Sequence, residues 1–328
     1  MTAAVLQGIG VVAIGRNEGE RLRRCFDSLP AGLGGVVYVD SGSTDDSVAQ
    51  AHQRGIEVVM LEPSLPFTAA RARNLGLRRL RERWPGLAFA QFIDGDCALS
   101  PGWLEAAVCE MERDTQLALV CGRRRERFPG TSAYNRLCDM EWNTPVGEAQ
   151  ACGGDALARI EALLTVDGYD GHLVAGEEPE LCARLRARGW RIRRIPVEMT
   201  LHDAAMTRFY QWWMRAMRSG HAYAEVNAMH PHVWRRETRS ILGWGLLLPA
   251  TAFLSALFTH GLGLALLAGY PVLWLRVLRG RRARGDAAGD AALYASFCVL
   301  GKSPELAGMA MYWWNRGRGR RGRLIEYK

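Results

Sequence analysis

Short apolar segments alternate with longer amphipathic stretches through the first third of the chain. Four of the apolar segments are brief, contain β-branched residues and end at glycine, proline or polar turns, which is typical of buried strands. They are residues 9–14, 36–39, 57–61 and 87–93. The stretches between them carry apolar residues at helical spacing, and one of these runs from Ala69 to Arg83. Strands that alternate with helices predict right-handed crossovers and a mostly parallel sheet of the α/β class.

Polar residues directly follow three of the four predicted strands. They are Arg16, Asn17 and Glu18 after the first strand, Asp40 and Ser43 after the second, and Asp94 and Asp96 after the fourth. Ligands of open sheets of this kind bind outside the carboxyl ends of the strands. We therefore expect these side chains to gather in one cleft.

Asp94 and Asp96 stand two residues apart with Gly95 between them. Both carboxylates can face one side of the backbone and bind a hard divalent cation through oxygen. Mg²⁺ or Mn²⁺ held by one or two carboxylates keeps coordination positions for the phosphates of a nucleotide. A solvated turn would also contain Asp-Gly-Asp, because both residue types suit turn geometry.

Linked motifs in a fixed order give the chain a family resemblance. They are Arg16-Asn17-Glu18, then Val39-Asp40-Ser41-Gly42-Ser43-Thr44-Asp45, then Ala72-Arg73-Asn74-x-Gly76, then Asp94-Gly95-Asp96. Further motifs are Gly153-Gly154, Asp167-Gly168-Tyr169-Asp170 and the segment from Gly176 to Trp190. Together, over residues 9–205, they resemble a family 2 glycosyltransferase of the GT-A fold, as found in membrane-associated bacterial enzymes of exopolysaccharide (succinoglycan-type) synthesis.

The resemblance implies a nucleotide-diphosphate sugar as donor. The Arg16 to Glu18 turn and Asp40 would bind its base and ribose, and Asp94 and Asp96 would bind its pyrophosphate through Mn²⁺ or Mg²⁺. We assign the nucleotide sugar to Arg16, Asn17, Glu18, Asp40, Ser43, Arg73, Asp94 and Arg215. Arg73 could instead pair with an acid, and Arg215 shares a helix face with Arg218, so that either arginine could contact a phosphate.

Glu177 and Glu178 follow Gly176 at the start of a predicted helix. Acidic residues are favoured there by the helix dipole alone. In the family this pair is usually Glu-Asp, with the second carboxylate as the general base that takes the proton of the acceptor hydroxyl. The resemblance therefore implies Glu178 as the base of an inverting transfer, with Glu177 as the alternative because glutamate here replaces the usual aspartate.

His202 follows a predicted strand at residues 192–201. A histidine at about this place completes the metal site in several GT-A enzymes, so the resemblance implies metal ligands Asp94, Asp96 and His202. A surface or helix-capping histidine is the other interpretation.

A long apolar stretch in the last third has no formally charged residue over thirty-five positions, 241–275. This is too long for one membrane-spanning helix and suffices for two short ones, 241–258 and 262–278, broken at Thr259-His260-Gly261. Arginines flank both outer ends, which predicts a hairpin with both ends in the cytoplasm, either as two crossings or as a re-entrant hairpin. A buried soluble hairpin or a dimer interface remains an alternative.

The excess positive charge lies beside this apolar stretch. From Pro271 onward there are twelve Lys/Arg against four Asp/Glu, whereas the rest of the chain is balanced at thirty against thirty. This placement favours an anionic membrane surface over nucleic acid. We expect an interfacial helix over 291–315, followed by a basic tail with Arg316, Arg318, Arg320, Arg321 and Arg323. A disordered basic tail would give the same composition.

The predicted organisation is a catalytic domain at residues 1–230 and a helical membrane-associating region at 231–328. Eight cysteines without a Cys-x-x-Cys pair, and a start without a signal peptide, indicate reduced thiols on the cytoplasmic side of a bacterial inner membrane. We expect a metal-dependent inverting transfer to a lipid-linked or membrane-bound hydroxyl in envelope polysaccharide synthesis, with homo-oligomers possible. Alternatives are a polyprenyl-phosphate glycosyltransferase and a non-catalytic nucleotide-sugar-binding subunit.

Overall fold

The structure, a computed structural model, describes residues 3–319. It contains two compact units. The first consists of the residues up to Phe128 together with Glu141–Ala204, and the second of Pro129–Met140 together with the residues from Ala205 onward. The second unit thus begins before residue 230, where the sequence predicted the domain boundary. The separate domain at 231–328 stays a prediction.

A mixed sheet forms the centre of the first unit. Its strands within residues 3–319 are β1 Ile9–Gly15, β2 Gly35–Asp40, β3 Glu57–Met60, β4 Phe89–Asp94, β5 Cys97–Leu99, β6 Leu117–Glu126, β7 Gly147–Glu148, β8 Ala156–Arg159 and β9 Arg191–His202. Their order is β3-β2-β1-β4-β8-β6-β9-β5, with β7 paired to β9. The first four strands are parallel, which confirms the predicted α/β class. β8 runs antiparallel to β4 and β6 and so makes the sheet mixed.

Helices alternate with these strands and continue through the second unit. They are α1 Ala3–Gln7, α2 Glu20–Asp27, α3 Ser47–Gln53, α4 Ala69–Arg83, α5 Trp103–Arg113, α6 Ala133–Glu141, α7 Ile160–Leu164, α8 Glu177–Ala187, α9 Phe209–Met229, α10 Arg235–Ile241, α11 Leu248–Phe258, α12 Gly269–Ala283, α13 Ala288–Leu300 and α14 Lys302–Gly317. The predicted helix over Ala69–Arg83 is confirmed as α4.

The packing of α4 against the sheet depends on one glycine. A Cβ at Gly76 would lie 2.3 Å from Cγ1 of Val12 and 3.0 Å from Cγ2 of Val39, so the helix sits directly on β1 and β2. Both valines are fully buried. This close approach fixes the height of α4 above the sheet and thereby the position of Arg73, which α4 carries.

Two apolar helices occupy the stretch of the predicted hairpin within the second unit, with different limits. Its first arm, Arg235–Phe258, joins α10, a π-helical segment at Leu242–Leu247 and α11, and its second arm, Leu262–Ala283, joins a 3₁₀ segment at Leu262–Ala268 and α12. His260 and Gly261 both have positive φ at the predicted break. Each arm is long and apolar enough to cross a membrane, with mean hydropathy 1.9 and 1.4, and little of either arm is buried.

The interfacial helix predicted over 291–315 corresponds to two helices, α13 and α14, and its place on a membrane stays a prediction. Gly301 separates α13 from α14. A face of α14 packs on α9, where a Cβ at Gly220 or Gly308 would overlap backbone oxygens of the facing helix at 1.9 Å. Arg320, Arg321 and Arg323 of the predicted basic tail lie outside the described residues.

Candidate active site

The end of β4 and the end of β9 form one side of the site. β5 follows β4 after a two-residue turn and pairs with β9, so that Cys97 stands opposite His202. Nε2 of His202 then lies 3.4 Å from Oδ2 of Asp96. Both residues are almost buried, at 7% and 6% exposure. The structure thus brings together two of the three predicted metal ligands.

The donor atoms in this corner suit a hard or borderline cation. Ligand atoms of Asp96, Cys97 and His202 lie within 4.8 Å of one another, as do those of Asp94, Cys97 and Asp155. Carboxylate oxygen and imidazole nitrogen are ligands that Mn²⁺ accepts, whereas thiolate favours softer metals. Burial raises the pKa of Cys97 well above its usual range, so this thiol stays protonated. Asp96 and His202 therefore offer donor atoms that suit the predicted cation, and Cys97 is a neighbour. The place of Asp94 in the same set of ligands stays a prediction.

Two residues missed by the sequence analysis flank His202. Nδ1 of the imidazole lies 3.6 Å from Oε2 of Glu126, and the ring meets Trp142 edge-on at 4.6 Å between centroids. A carboxylate beside the second nitrogen of a metal-binding histidine orients the ring and fixes its tautomer. Glu126 and Trp142 thus turn Nε2 toward Asp96.

Arg73 connects this corner to the predicted general base. Its Nη1 donates to Oε1 of Glu177 and to Oε1 of Glu178, each at 3.0 Å, and its Nη2 donates to Oδ1 of Asp94 at 2.9 Å. The arginine side chain is only 3% exposed. Three carboxylates from β4 and α8 therefore converge on one buried cation carried by α4.

A glycine opposite Arg73 leaves room for this arrangement. A Cβ at Gly154 would stand 2.2 Å from Nη2 of Arg73 and 3.1 Å from Oδ2 of Asp94. Gly154 belongs to the Gly153-Gly154 motif of the sequence analysis. The lack of a side chain at Gly154 thus leaves space for Arg73 to contact Asp94.

The carboxylates of the cluster differ in acidity. Burial, followed by the charge of Glu177, raises the pKa of Glu178 to about 7 against the lowering effect of Arg73. Burial also acts to raise the pKa of Asp94, but Arg73 and Arg124 outweigh it and hold that pKa below its usual value. Asp94 is thus an anion at neutral pH, while Glu178 can take up and release a proton there.

Asp155 is a buried residue that the sequence analysis did not select. Its Oδ1 accepts the backbone N–H of Asp94 at 3.0 Å, and its Oδ2 accepts from Thr200 at 2.7 Å and lies 2.9 Å from Arg124. The only signal in the sequence is its place directly after Gly153-Gly154. Asp155 anchors the end of β4 to β9 and β6.

The predicted nucleotide-binding loops lie together. Asn17 donates its N–H to Oγ of Ser43 at 2.9 Å and accepts from the N–H of Thr44 at 2.7 Å. Its φ of 55° is a left-handed conformation that asparagine tolerates better than most residues. The first turn and the second are therefore one joined surface.

Asp40 and Glu18 have defined surroundings in the same region. Asp40 is fully buried, and its carboxylate accepts from the hydroxyl of Tyr38 at 2.9 Å and from the N–H groups of Gly42 and Ser43 at 2.9 and 2.8 Å. Asp40 shapes the turn, and its contact with a base stays a prediction. Glu18 pairs with Arg21 at 2.8 Å and lies against the metal turn, because a Cβ at Gly95 would be 3.1 Å from its Cγ.

Two arginines complete the predicted set. Arg16 stacks over the ring of Phe67 at 5.7 Å. Arg215 lies on α9 in the second unit, so it belongs to a different compact unit from the other predicted residues. Its role toward a nucleotide stays a prediction.

Comparison with known proteins gives concordant results. The model of the family described as Glycosyl transferase family 2 matches residues 11–154. An uncharacterized glycosyltransferase of Mycobacterium tuberculosis is 30% identical over 188 residues, which are 55% of this chain and 80% of the relative. The pre-mycofactocin glycosyltransferase of the same species is 29% identical over 84% of this chain, and the match covers 57% of that relative. This chain thus spans little more than half the length of that curated relative.

One solved structure resembles nearly the whole chain. It is the mannosyltransferase PcManGT from Pyrobaculum calidifontis in complex with GDP-Man and Mn²⁺, with a TM-score of 0.66, 18% identity, and coverage of 94% of this chain and 87% of that protein. At this identity the likeness shows the fold, which is the predicted GT-A fold. With the sequence matches, it establishes the class of protein as a glycosyltransferase. The chain belongs to family 2 of the glycosyltransferases.

Proposed function

We propose that this protein transfers a sugar, with inversion, from a nucleotide-diphosphate sugar to an acceptor hydroxyl at a membrane, and that the reaction requires Mn²⁺ or Mg²⁺. The observation that carries the proposal is the convergence of Asp94, at the carboxyl end of β4, and Glu178, at the start of α8, on the buried Arg73. Asp94, a predicted metal ligand, and Glu178, whose pKa is about 7, thereby contact the same arginine.

Asp94, Asp96 and His202 would hold the cation. When bound, it would supply Lewis-acid stabilisation of the departing nucleoside diphosphate. The Mn²⁺ and GDP-Man named for the similar mannosyltransferase structure support this assignment. Glu126 would orient His202, and Asp155 would hold the backbone of Asp94 in place.

Glu178 would act as the general base. It would accept the proton of the acceptor hydroxyl while the oxygen forms a bond to the sugar and the bond from the sugar to the diphosphate breaks. Its side chain retains 19% exposure, against 6% for Glu177, so Glu178 is the better placed of the two to meet an acceptor. Arg73 would orient both carboxylates and offset their mutual repulsion.

The nucleotide would occupy the joined turns after β1 and β2. Arg16, Asn17 and Glu18 lie on the first turn, and Asp40 and Ser43 lie on the second. Arg215 remains a candidate for a phosphate contact from α9.

The acceptor would be a lipid-linked or membrane-bound molecule. The exposed apolar hairpin with arginines at both outer ends supports attachment to the cytoplasmic face of a bacterial inner membrane, and with it a role in envelope polysaccharide synthesis. Homo-oligomerisation stays a prediction.

A donor screen tests the proposal. Purified full-length protein in detergent with Mn²⁺ is given a panel of nucleotide sugars, and release of nucleoside diphosphate is measured. We expect release with one donor, and loss of release on chelation and in Asp96→Asn. The matched control is Asp27→Asn, since Asp27 is exposed and pairs with Arg54 on the surface.

Three results would contradict parts of the proposal. Release that persists after chelation and in Asp96→Asn would exclude the metal mechanism. Unchanged turnover in Glu178→Gln would instead favour a polyprenyl-phosphate acceptor, whose nucleophile is already ionised. Tight binding of a donor without any turnover would favour a non-catalytic subunit.

A further inference from the structure

A pocket of about 480 Å³ lies in the second unit, between the end of α9 and α10. It is lined by Asn227, Pro231, His232, Arg235, Thr238 and Arg239. None of these residues belongs to the metal site, the base or the nucleotide loops described above. The pocket therefore needs an explanation of its own.

The pocket concentrates positive charge without a matching anion. Arg235 and Arg239 are four residues apart, so they share one face of the helix and repel each other. Within residues 3–319 neither guanidinium makes a hydrogen bond or an ion pair. The nearby acid Glu237 lines a separate pocket with Arg236 and Lys302. An anionic ligand between the two arginines would remove their repulsion.

Uncharged groups in the pocket also suit an oxyanion. Oγ1 of Thr238 is buried and has no hydrogen-bond partner among the described residues, so an unsatisfied hydroxyl lies in the wall of the pocket. Nδ2 of Asn227 donates to the carbonyls of Pro231 and Val233 at 3.1 and 2.8 Å and thereby fixes the opposite wall. Two forked guanidinium groups and a hydroxyl match the several acceptor oxygens of a phosphate.

The position of the pocket indicates where that phosphate belongs. Arg235 is the first residue of the apolar arm Arg235–Phe258, and no formally charged residue follows Arg239 until Arg276. Trp234, immediately before the arm, packs edge-on against Tyr223 at 4.8 Å. Tryptophan and tyrosine are enriched at membrane interfaces. The pocket thus lies at the depth of lipid headgroups when the arm is in a bilayer.

We propose that this pocket binds the phosphate group of a membrane lipid. Arg235 and Arg239 would clasp the phosphate oxygens, Thr238 would donate to one of them, and the acyl chains would run along the exposed apolar arm. The inference rests on the membrane attachment in the proposed function, and it is independent of the sugar-transfer chemistry.

Fluorescently labelled phosphatidylglycerol in dodecyl maltoside micelles tests the inference with the full chain and no sugar donor. Binding is followed by anisotropy, with labelled diacylglycerol of the same acyl chains as the lipid that lacks phosphate. We expect Arg235→Gln with Arg239→Gln to weaken phosphatidylglycerol binding about 30-fold. Each basic residue near an anionic lipid surface adds a similar amount to the binding free energy, and the double variant removes two of them. Arg235→Lys with Arg239→Lys should still weaken it about 10-fold, because lysine keeps the charge but not the bidentate hydrogen bonds.

The matched control is Arg276→Gln with Arg279→Gln. These arginines are exposed at the end of the second arm, and the hydrogen bond from Tyr270 to the carbonyl of Trp244 at 2.7 Å shows that the two arms lie side by side. We expect binding close to that of the unaltered protein for the control pair. Retained folding of all variants is checked by circular dichroism. In a separate assay with a sugar donor, unchanged release of nucleoside diphosphate separates this site from the catalytic one.

Four outcomes would overturn the inference. They are equal binding of phosphatidylglycerol and diacylglycerol, equal loss in the pocket and control pairs, full binding by the lysine pair, and displacement of the lipid by millimolar inorganic phosphate at constant ionic strength. The second and third would indicate diffuse charge attraction, and the fourth a site for soluble phosphate. Because no donor is present, failure here leaves the transferase proposal untouched.

Discussion

Nη1 of Arg73 lies 3.0 Å from Oε1 of Glu178, so a buried cation holds the carboxylate that we propose as the general base. The same guanidinium also contacts Glu177 and Asp94. One positive charge faces three carboxylates, and the excess negative charge is one reason, after burial, for the raised pKa of Glu178. Arg73 therefore holds the base in place and partly offsets the rise in its pKa, which burial and Glu177 cause.

The pH dependence of transfer should report this raised pKa. A general base works in its ionised form, so we expect kcat/KM to rise with pH and to level off above about 7, the pKa of Glu178. The measurement is nucleoside diphosphate release at saturating Mn²⁺ between about pH 5.5 and 9. A flat profile over this range would contradict the role of Glu178.

The contribution of Glu178 to protein stability should fall as pH rises, whereas activity should increase. The pKa of Glu178 is raised above its ordinary value of 4.5 to about 7, so its contribution to stability is fully present below about 4.5 and is lost as pH rises through about 7. Glu178→Gln removes this loss. We expect the variant to be more stable than the unaltered protein at pH 8 by about 2 kcal/mol, a figure that includes a discount for solvent screening, and about equally stable near pH 4.5.

Thermal unfolding in detergent at the two pH values measures this difference, and the same variant should lose about 100-fold or more in turnover. The matched variant is Glu198→Gln, at an exposed surface pair with Arg125, which should change neither quantity. A Glu178→Gln variant that is less stable at pH 8 would show that the ion pair with Arg73 outweighs the cost of burying the charge.

The sequence was sufficient for the strands that present the site and insufficient for the contacts within it. β1, β2 and β4 could be predicted because each is a short apolar segment that ends in a turn, and their parallel order places Asp40 and Asp94 at one edge. The partners of Arg73 at Glu177 and Glu178 are more than a hundred residues away in sequence, so no local pattern indicates them. Asp155 carries too little local signal for the same reason.

Some elements were missed for other physical reasons. β8 has four residues and β7 has two, which is too short for hydrophobic alternation to be visible. The exact break at Gly301, between α13 and α14, depends on tertiary packing, because Gly308 of α14 lies against the backbone of α9.

Gly154→Ala should uncouple Arg73 from Asp94. The new Cβ would stand 2.2 Å from Nη2 of Arg73, and the buried guanidinium has little space in which to retreat. We expect turnover to fall about 100-fold, the usual cost of misplacing an active-site group by about an ångström. Steady-state kinetics at saturating donor and Mn²⁺ provides the measurement. Gly86→Ala is the control, because no atom lies within 4 Å of a Cβ there, and it should keep full activity.

Glu126→Gln should weaken the metal site without removing a ligand. Oε2 of Glu126 lies 3.6 Å from Nδ1 of His202, and an amide in its place would hold the imidazole less firmly with Nε2 toward Asp96. Changes to such orienting carboxylates typically cost about 10- to 100-fold in metal affinity, and we expect a loss in that range for Mn²⁺. Titration of Mn²⁺ by electron paramagnetic resonance, without any donor, measures the affinity directly.

The comparison that decides the role of Glu126 is with two other variants. His202→Ala should lose at least as much Mn²⁺ affinity as Glu126→Gln, and the double variant should lose no more than His202→Ala alone, because Glu126 would act only through the imidazole. Additive losses would instead mean that Glu126 contacts the cation itself. Equal Mn²⁺ affinity in all three variants and the unaltered protein would remove His202 from the site, and the cation would then be held by Asp94 and Asp96 without it.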